Sequence, residues 1–356
     1  MNIMVFDVPA ETGGALSILN DFYNEVKQYN NKNINWIFVI SKPQLYEIEN
    51  IRVLKFPWVK KSWFHRLYFD NFVAPKLVKK YKIDRILSLQ NVIIPNTDVR
   101  QILYIHQPLP FVKYKFTFKE NKLFWVYQNI LSRKIFKSIK KASKVVVQTE
   151  WMKNACSELV DKQDSKISVV PPKTNIHINR KFIPTKESFS TFFYPASPVI
   201  YKNHKIIVEA CQKLSDQDYK GFKVIFTLKG NENNNILNLK KIIRDNQLPI
   251  EFIGDITRDK VYDYYSKSIL IFPSYIETFG LPILEAKSHN TIVIASDSQF
   301  SHEILGEYEN KYFFDPFDSD QLAQIMKNIL SKQIYNDVKE DSIKIKNRNL
   351  INEVLL

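Results

Sequence analysis

Glycine is scarce in this 356-residue chain: there are 7, where ordinary usage would place about 25. Cysteine is scarcer still. Cys156 and Cys211 are the only two, both within helix-like stretches. That excludes a disulfide scaffold or a structural zinc site and fits small buried hydrophobes of a reducing cytosol. No run of about 18 apolar residues occurs, which excludes a spanning helix. The opening MNIMVFDVPAE reaches Asp7 after a few apolar residues and offers no small-residue cleavage site, so no signal peptide is expected. What is present is a hydrophobic fraction of 45%, that of a globular protein and not of a disordered chain. The length suggests two domains, because single cores stop growing near about 250–300 residues.

Acidic residues are the minority: Lys+Arg 51 against Asp+Glu 37 gives a net charge of +14. The excess is local. From Lys55 to Lys82 eight cations face one acid, Asp70, and from Lys113 to Lys144 ten face one, Glu120. These two stretches sum to +16, so everything else is near neutral. In the second, about 100° per residue puts Phe124, Tyr127, Leu131, Ile135 and Ile139 on one side of a helix. Arg133, Lys134, Lys137, Lys140 and Lys141 fall on another. The first mixes Lys60, Lys61, Arg66, Lys76, Lys79 and Lys80 with Trp58, Trp63, Phe64, Tyr68 and Phe72. Aromatics among cations suit a lipid headgroup interface, where each cation gains about 1 kcal/mol near anionic lipid. A docked surface helix with merely solvated charges has the same pattern. Nucleic acid is not expected as a partner, since no zinc finger, RNA-recognition signature or helix-turn-helix is present.

Short apolar runs alternate with longer amphipathic ones along the whole chain. Strands are predicted at Asn2–Asp7, Asn35–Ile40, Arg85–Leu89, Gln101–His106, Lys144–Gln148 and Ile167–Val170. A helix carrying Ala15, Ile18, Phe22 and Val26 follows Gly13-Gly14. Pro171-Pro172 then opens a polar, basic stretch with another proline at Pro184. Alternation resumes at Thr191–Tyr194, Lys223–Leu228, Glu251–Ile253, Leu270–Phe272, Thr291–Ala295 and Tyr312–Phe314. The expected fold class is α/β with parallel sheets, in a domain over 1–172, a linker over 173–190, a second domain over 191–331 and a helical tail over 332–356. Two such units imply a cleft, with ligands beyond the carboxyl ends of the strands.

The stretch Leu270–Thr291, LIFPSYIETFGLPILEAKSHNT, is the most informative. A buried strand ends at Pro273-Ser274, and a loop carries Glu277, Thr278, Phe279 and Gly280. A helix then starts, with Pro282 suited to its first turn and free N–H groups available to an anion. Glu285, eight residues after Glu277, is expected in that first turn, so both carboxylates can face the cleft; an acid there is also ordinary capping chemistry.

Glu277-Thr-Phe-Gly-Leu-Pro-x-x-Glu285 resembles the Glu-x7-Glu signature of family 4 of the retaining glycosyltransferases, which have the GT-B fold of two Rossmann-like domains. The resemblance continues in Gly13-Gly14, in His106 of LYIHQPLP, in VVQTEWMK (Val146–Lys153) and in ISVVPP (Ile167–Pro172). It runs on through FYPASPVIYKNHKIIVEA (Phe193–Ala210), FIGDITRDKVYDYYSKSILIFPS, ASDSQFSHEILGE (Ala295–Glu307) and FFDPFD (Phe313–Asp318).

The resemblance implies that Glu285 binds the ribose hydroxyls of a nucleotide-diphosphate sugar, while Glu277 holds sugar hydroxyls and helps stabilise an oxocarbenium ion. Backbone N–H groups of Thr278, Phe279, Gly280 and Leu281 would meet the sugar and the diphosphate, and Lys202 would neutralise the leaving group. Gly13 and Gly14 would let backbone approach donor or acceptor, His106 would position the transferred sugar, and Gly230 and Gly254 would border the nucleobase. Lysine and a helix start can meet the leaving charge, so neither cofactor nor metal is expected, and there is no Asp-x-Asp. Many relatives place an arginine five residues before the lysine. Here that position is Ser197, for which Lys205, or His204 if protonated, would have to substitute. His65, His177, His289 and His302 show no ligand spacing and read as structural.

These expectations amount to a cytoplasmic retaining transferase held peripherally at the inner face of the cell membrane. It would use a nucleotide-sugar donor and a glycan or lipid-linked saccharide acceptor in bacterial surface polysaccharide assembly. Trp58, Trp63, Arg133, Lys134, Lys137, Lys140 and Lys141 would face the lipid. A nucleotide-sugar epimerase of similar architecture, or a non-catalytic partner protein, are the rival readings.

Overall fold

The computed structural model describes residues 1–160, 164–173, 176–178, 180–333, 335–336 and 349–356. It divides into two compact units, one of Met1–Lys173 together with the C-terminal end of the chain, the other of the stretch between. Of the linker expected over 173–190, residues 174, 175 and 179 lie outside the described residues, as do 334 and 337–348 of the expected tail. The described part of that linker contains one helical turn, Lys186–Phe189, closed by a reciprocal capping box between Thr185 and Ser188.

The first unit is built on β1 (Asn2–Asp7), β2 (Asn35–Ile40), β3 (Ile51–Lys55), β4 (Arg85–Ser88), β5 (Arg100–Ile105), β6 (Lys144–Val147) and β7 (Ile167–Val169). All pairings are parallel, in the order β3-β2-β1-β4-β5-β6-β7. Helices on both faces leave Ile3, Met4, Val5 and Phe6 without solvent contact, which is why these strands read as unbroken apolar runs. Sequence reading missed β3, an edge strand whose burial alternates unevenly and whose Arg52 and Lys55 break the apolar signal. The closing helix Leu350–Leu355 returns to this first unit. Leu350, Ile351 and Val354 enter its core, and Ile351 N–H donates to the Glu25 carboxylate at 2.9 Å.

The second unit contains β8 (Thr191–Tyr194), β9 (Lys223–Phe226), β10 (Ile250–Phe252), β11 (Ile269–Phe272), β12 (Val293–Ser296) and β13 (Lys311–Phe314), ordered β10-β9-β8-β11-β12-β13 and again wholly parallel. In each sheet the first strand lies inside and the order reverses beside it. Loops leaving that strand and its later neighbour diverge there and open a crevice at the carboxyl ends.

Both basic stretches form long helices interrupted by π-turns. Trp63–Tyr68 continues through Phe69–Val73 into Ala74–Lys80, and Lys122–Val126 through Tyr127–Leu131 into Ser132–Lys141. A π-turn adds a residue and rotates everything beyond it. The buried face of the second helix is therefore Gln128, Ser132, Ile135, Ser138 and Ile139, while Leu123 and Ile130 are exposed. The projected apolar side holds, with Ile135 and Ile139 buried and Phe124, Tyr127 and Leu131 half-buried.

Candidate functional site

Lys202 and Glu277 lie 75 residues apart in sequence and form an ion pair in the second unit. Sheet order brings them together. Lys202 closes the turn after β8, Glu277 lies in the loop after β11, and β8 pairs directly with β11 through Leu270 and Phe193. The pair is well supported. Tyr194 OH donates to the Lys202 carbonyl at 2.6 Å, and Ser274 Oγ donates to Glu277 Oε1 at 2.8 Å. Asn203, in the left-handed region at φ 59°, donates from its side chain to Pro316 O at 2.7 Å and so ties this turn to a neighbouring loop.

The loop ends at Gly280, whose φ of 86° lets it cap the helix Leu281–Ser288. A side chain there would be strained by the positive φ, while the nearest atom, of Phe300 at 3.4 Å, is at ordinary contact distance, so it is the backbone conformation that favours glycine. Pro282 lies in the first turn, as expected. Glu285 does not. It is the fifth helical residue, and the first turn holds no acid, so helix capping does not account for it. Glu285 is 6% exposed, and burial raises its carboxyl pKa above the ordinary value. Two groups oppose that rise: Arg258, whose Nη2 pairs with Oε1, and Tyr265, whose OH donates to Oε2 at 3.2 Å.

In the same unit a cavity of about 360 Å³ opens at the ends of β8, β9 and β10, lined among others by Ser197, Thr227, Leu228, Asp255, Ile256 and Val261. Gly230 and Gly254 border its loops with φ of 86° and 73°. The first of these loops is fixed by Glu232, whose carboxylate accepts N–H bonds from Lys229, Gly230 and Asn231 at 2.5, 3.0 and 3.0 Å. Lys229 pairs with Asp255 at 2.8 Å. Glu277, Lys202, Gly280 and Glu285 are thus held on adjoining elements of one unit, as are the loops of Gly230 and Gly254.

Two further expectations need correction. Lys205, proposed to replace the arginine missing at Ser197, has its side chain 73% exposed and paired with Glu209 at 2.8 Å on the outer face of its helix. His204 is packed between the rings of Tyr194 and Phe226, with centroids at 4.8 and 5.1 Å, and burial lowers its pKa to about 3. It is neutral and cannot supply a cation. Sequence reading also missed Arg258, the first residue of helix Arg258–Tyr265. Its signal is a cation directly after a strand-end glycine loop, but only the fold shows that it reaches Glu285.

In the first unit, Gly13 starts the helix Gly13–Tyr29, and a Cβ at Gly13 or Gly14 would meet nothing within 4 Å. His106 follows β5. Its Nε2 lies 2.9 Å from Leu89 O and 3.1 Å from Asn91 Nδ2, and burial lowers its pKa to about 4, so the ring is neutral. Asn91 Oδ1 accepts the N–H groups of both His106 and Gln107, at 2.8 and 3.0 Å.

Of the seven residues expected at a membrane surface, two are turned into the fold. Lys134 reaches Asp70, a 1% exposed carboxylate also held by Arg66, with distances of 3.0 and 2.8 Å. Trp58 is half-buried against Phe56, Tyr68 and Phe69. Trp63, Arg133, Lys137, Lys140 and Lys141 are exposed, together with Phe64 (82%), Leu67, Tyr68 and Phe72. Among the described residues no helix is long and apolar enough to cross a membrane.

Residues 175–348 match the family described as "Glycosyl transferases group 1". The chain is 22% identical over 305 residues to the O-antigen chain mannosyltransferase RfbU of Salmonella typhimurium, covering 80% of this chain and 83% of that one. Among solved structures it is similar to a glycosyltransferase from Rickettsia africae, with a TM-score of 0.60, 18% identity, and 93% and 88% of the two chains covered. It is also similar to Anabaena HepE in complex with UDP and glucose, with a TM-score of 0.65, 16% identity, and 94% and 90% covered. The two parallel, helix-flanked sheets are those of the GT-B fold, two Rossmann-like domains.

Proposed function

We propose that this chain is a retaining glycosyltransferase that moves a sugar from a nucleotide-diphosphate donor to a hydroxyl of a saccharide acceptor in surface polysaccharide assembly. The observation that carries the reading is the spacing of two carboxylates around one glycine-capped helix. Glu277 is paired with Lys202 before the helix, and Glu285 lies buried within it. The match of residues 175–348 to a glycosyltransferase family supports it, as does the similarity to RfbU and to a protein that binds UDP and glucose.

The chemistry follows from where charge develops. Breaking the bond between the anomeric carbon and diphosphate puts negative charge on the leaving oxygens and positive charge on the carbon. Lys202 and the amides of Gly280 and Leu281 at the helix start meet the first. Glu277 meets the second and holds sugar hydroxyls, with Ser274 fixing its carboxylate. Glu285 accepts the ribose hydroxyls, and the loops of Gly230 and Gly254 border the base. Lys202 and the helix-start amides offset the leaving-group charge without a metal. Gly13, Gly14 and His106 serve the acceptor side and the transferred sugar. The exposed Trp63, Phe64, Leu67, Tyr68 and Phe72, with Lys137, Lys140 and Lys141, hold the enzyme on an anionic inner leaflet where lipid-linked acceptors reside.

A panel of nucleotide sugars, screened first by thermal stabilisation and then for transfer to saccharide acceptors, tests the reading. One donor should raise the melting temperature, since saturation a hundredfold above Kd adds about 2.7 kcal/mol. No response to any donor would sink it, and conversion of a donor without acceptor would identify an epimerase.

A further inference from the structure

Glu285 is a buried carboxylate with an unusual neighbour. The charged and titratable groups that act on its carboxylate are Arg258 and Tyr265 from helix Arg258–Tyr265. Tyr262 holds Arg258, and His289, which caps the helix of Glu285, contacts the Glu285 backbone carbonyl. Arg258 takes Oε1 and Tyr265 takes Oε2, one contact per oxygen. The guanidinium is itself fixed: its Nε donates to Tyr262 OH at 2.7 Å and it lies 5.6 Å from the Tyr262 ring centroid. Below, the His289 ring packs 5.1 and 5.6 Å from the rings of Tyr262 and Tyr265, and its Nδ1 is 2.7 Å from the Glu285 carbonyl.

An ion pair between two exposed side chains would contribute little. Here one partner is buried, and removing its counter-charge would leave a carboxylate that protonates or turns away. A carboxylate has about four lone-pair positions, and only two are taken. The remaining two are the acceptors a vicinal diol needs. The helix that carries Arg258 also places Val261 in the cavity wall, and Asp255 and Ile256 of that wall immediately precede it, so one segment contributes to both the ion pair and the cavity.

We propose that Arg258 is a positioning residue for donor binding: it holds Glu285 ionised and oriented so that the carboxylate accepts both ribose hydroxyls. The assignment rests on the nucleotide-sugar reading above and adds a residue that the Glu-x7-Glu pattern does not contain. It also gives the binding site a selectivity for ribonucleotides over 2′-deoxyribonucleotides that depends on Arg258.

UDP, GDP and their 2′-deoxy counterparts, titrated calorimetrically from about pH 5.5 to about pH 8.5, test this on the full chain. The proteins to compare are the unsubstituted one, Arg258→Met and Arg258→Lys, with melting temperatures measured alongside. The unsubstituted protein should bind one ribonucleotide more tightly than its deoxy form across this range. Arg258→Met should lose about 10–100-fold in ribonucleotide affinity near pH 6 and little for the deoxy form, so the ratio falls towards one. Its loss should shrink as pH rises, because Glu285 regains its charge. Arg258→Lys should restore the pH profile. If Arg258→Met keeps both the ratio and the profile, or weakens both nucleotides equally at every pH, the assignment is overturned while the transferase reading stands. If the unsubstituted protein binds no nucleotide, both fall.

Discussion

Replacing Glu277 by Gln separates donor binding from transfer. In the present arrangement Glu277 neutralises Lys202 and accepts the Ser274 hydroxyl at 2.8 Å. Glutamine keeps the length and that acceptor but removes the charge. Transfer loses its carboxylate stabiliser at the anomeric centre, so the rate should fall about 10²–10³-fold, or ~2.7–4 kcal/mol of transition-state free energy. Binding behaves differently. Lys202 is released from its partner, and its ammonium becomes free for the diphosphate, so nucleoside diphosphate affinity should hold or tighten. The two measurements are the transfer rate at saturating donor and a calorimetric titration with the nucleoside diphosphate. A rate near that of the unsubstituted protein would refute the role of Glu277. Affinity falling in step with rate would refute the competition for Lys202.

Asp70→Ala should destabilise the first unit by about 1–3 kcal/mol in urea unfolding, because it removes the buried acceptor that ties Arg66 and Lys134 together while those partly exposed cations can turn to solvent; an unchanged midpoint would show the triad to contribute nothing. His204 is held neutral with its pKa at about 3, against about 6.5 unfolded, so the unfolded chain takes up the proton first. Stability should be full above about pH 6.5 and fall with acid at up to ~1.4 kcal/mol per pH unit, and His204→Phe should flatten that slope. Equal slopes in the two proteins would mean that other groups carry the acid sensitivity. On vesicles, Phe64→Ser combined with Lys137→Glu and Lys141→Glu should abolish co-sedimentation with anionic lipid. Each lost cation costs about 1 kcal/mol of binding, and binding to neutral vesicles should be weak throughout.

Much of the fold was legible in the sequence because its signals are local. Buried parallel strands are short apolar runs, and β1, β2 and β8 coincide with the expected Asn2–Asp7, Asn35–Ile40 and Thr191–Tyr194. Glycine was informative for the same reason, since a positive φ is a property of one residue, and Gly280 caps its helix where the motif placed it. Local patterns did not reveal which cation would turn inward beyond the π-turns. The π-turns at Phe69–Val73 and Tyr127–Leu131 rotate the faces beyond them, so Lys134 meets Asp70 while Ile130 is exposed.

Composition, alternation and the Glu277–Glu285 spacing by themselves determined an α/β chain in two units with two carboxylates around one helix start. Partners were decided by tertiary structure alone. Lys202 finds Glu277 because β8 and β11 are neighbours in the sheet, although 75 residues separate the pair. Arg258 finds Glu285 across 27 residues because their helices pack against each other, whereas Lys205, three residues from Lys202, points outward to Glu209. Periodicity records which side of an element is buried. Which charge meets which depends on sheet order and helix packing, and no local pattern encodes those.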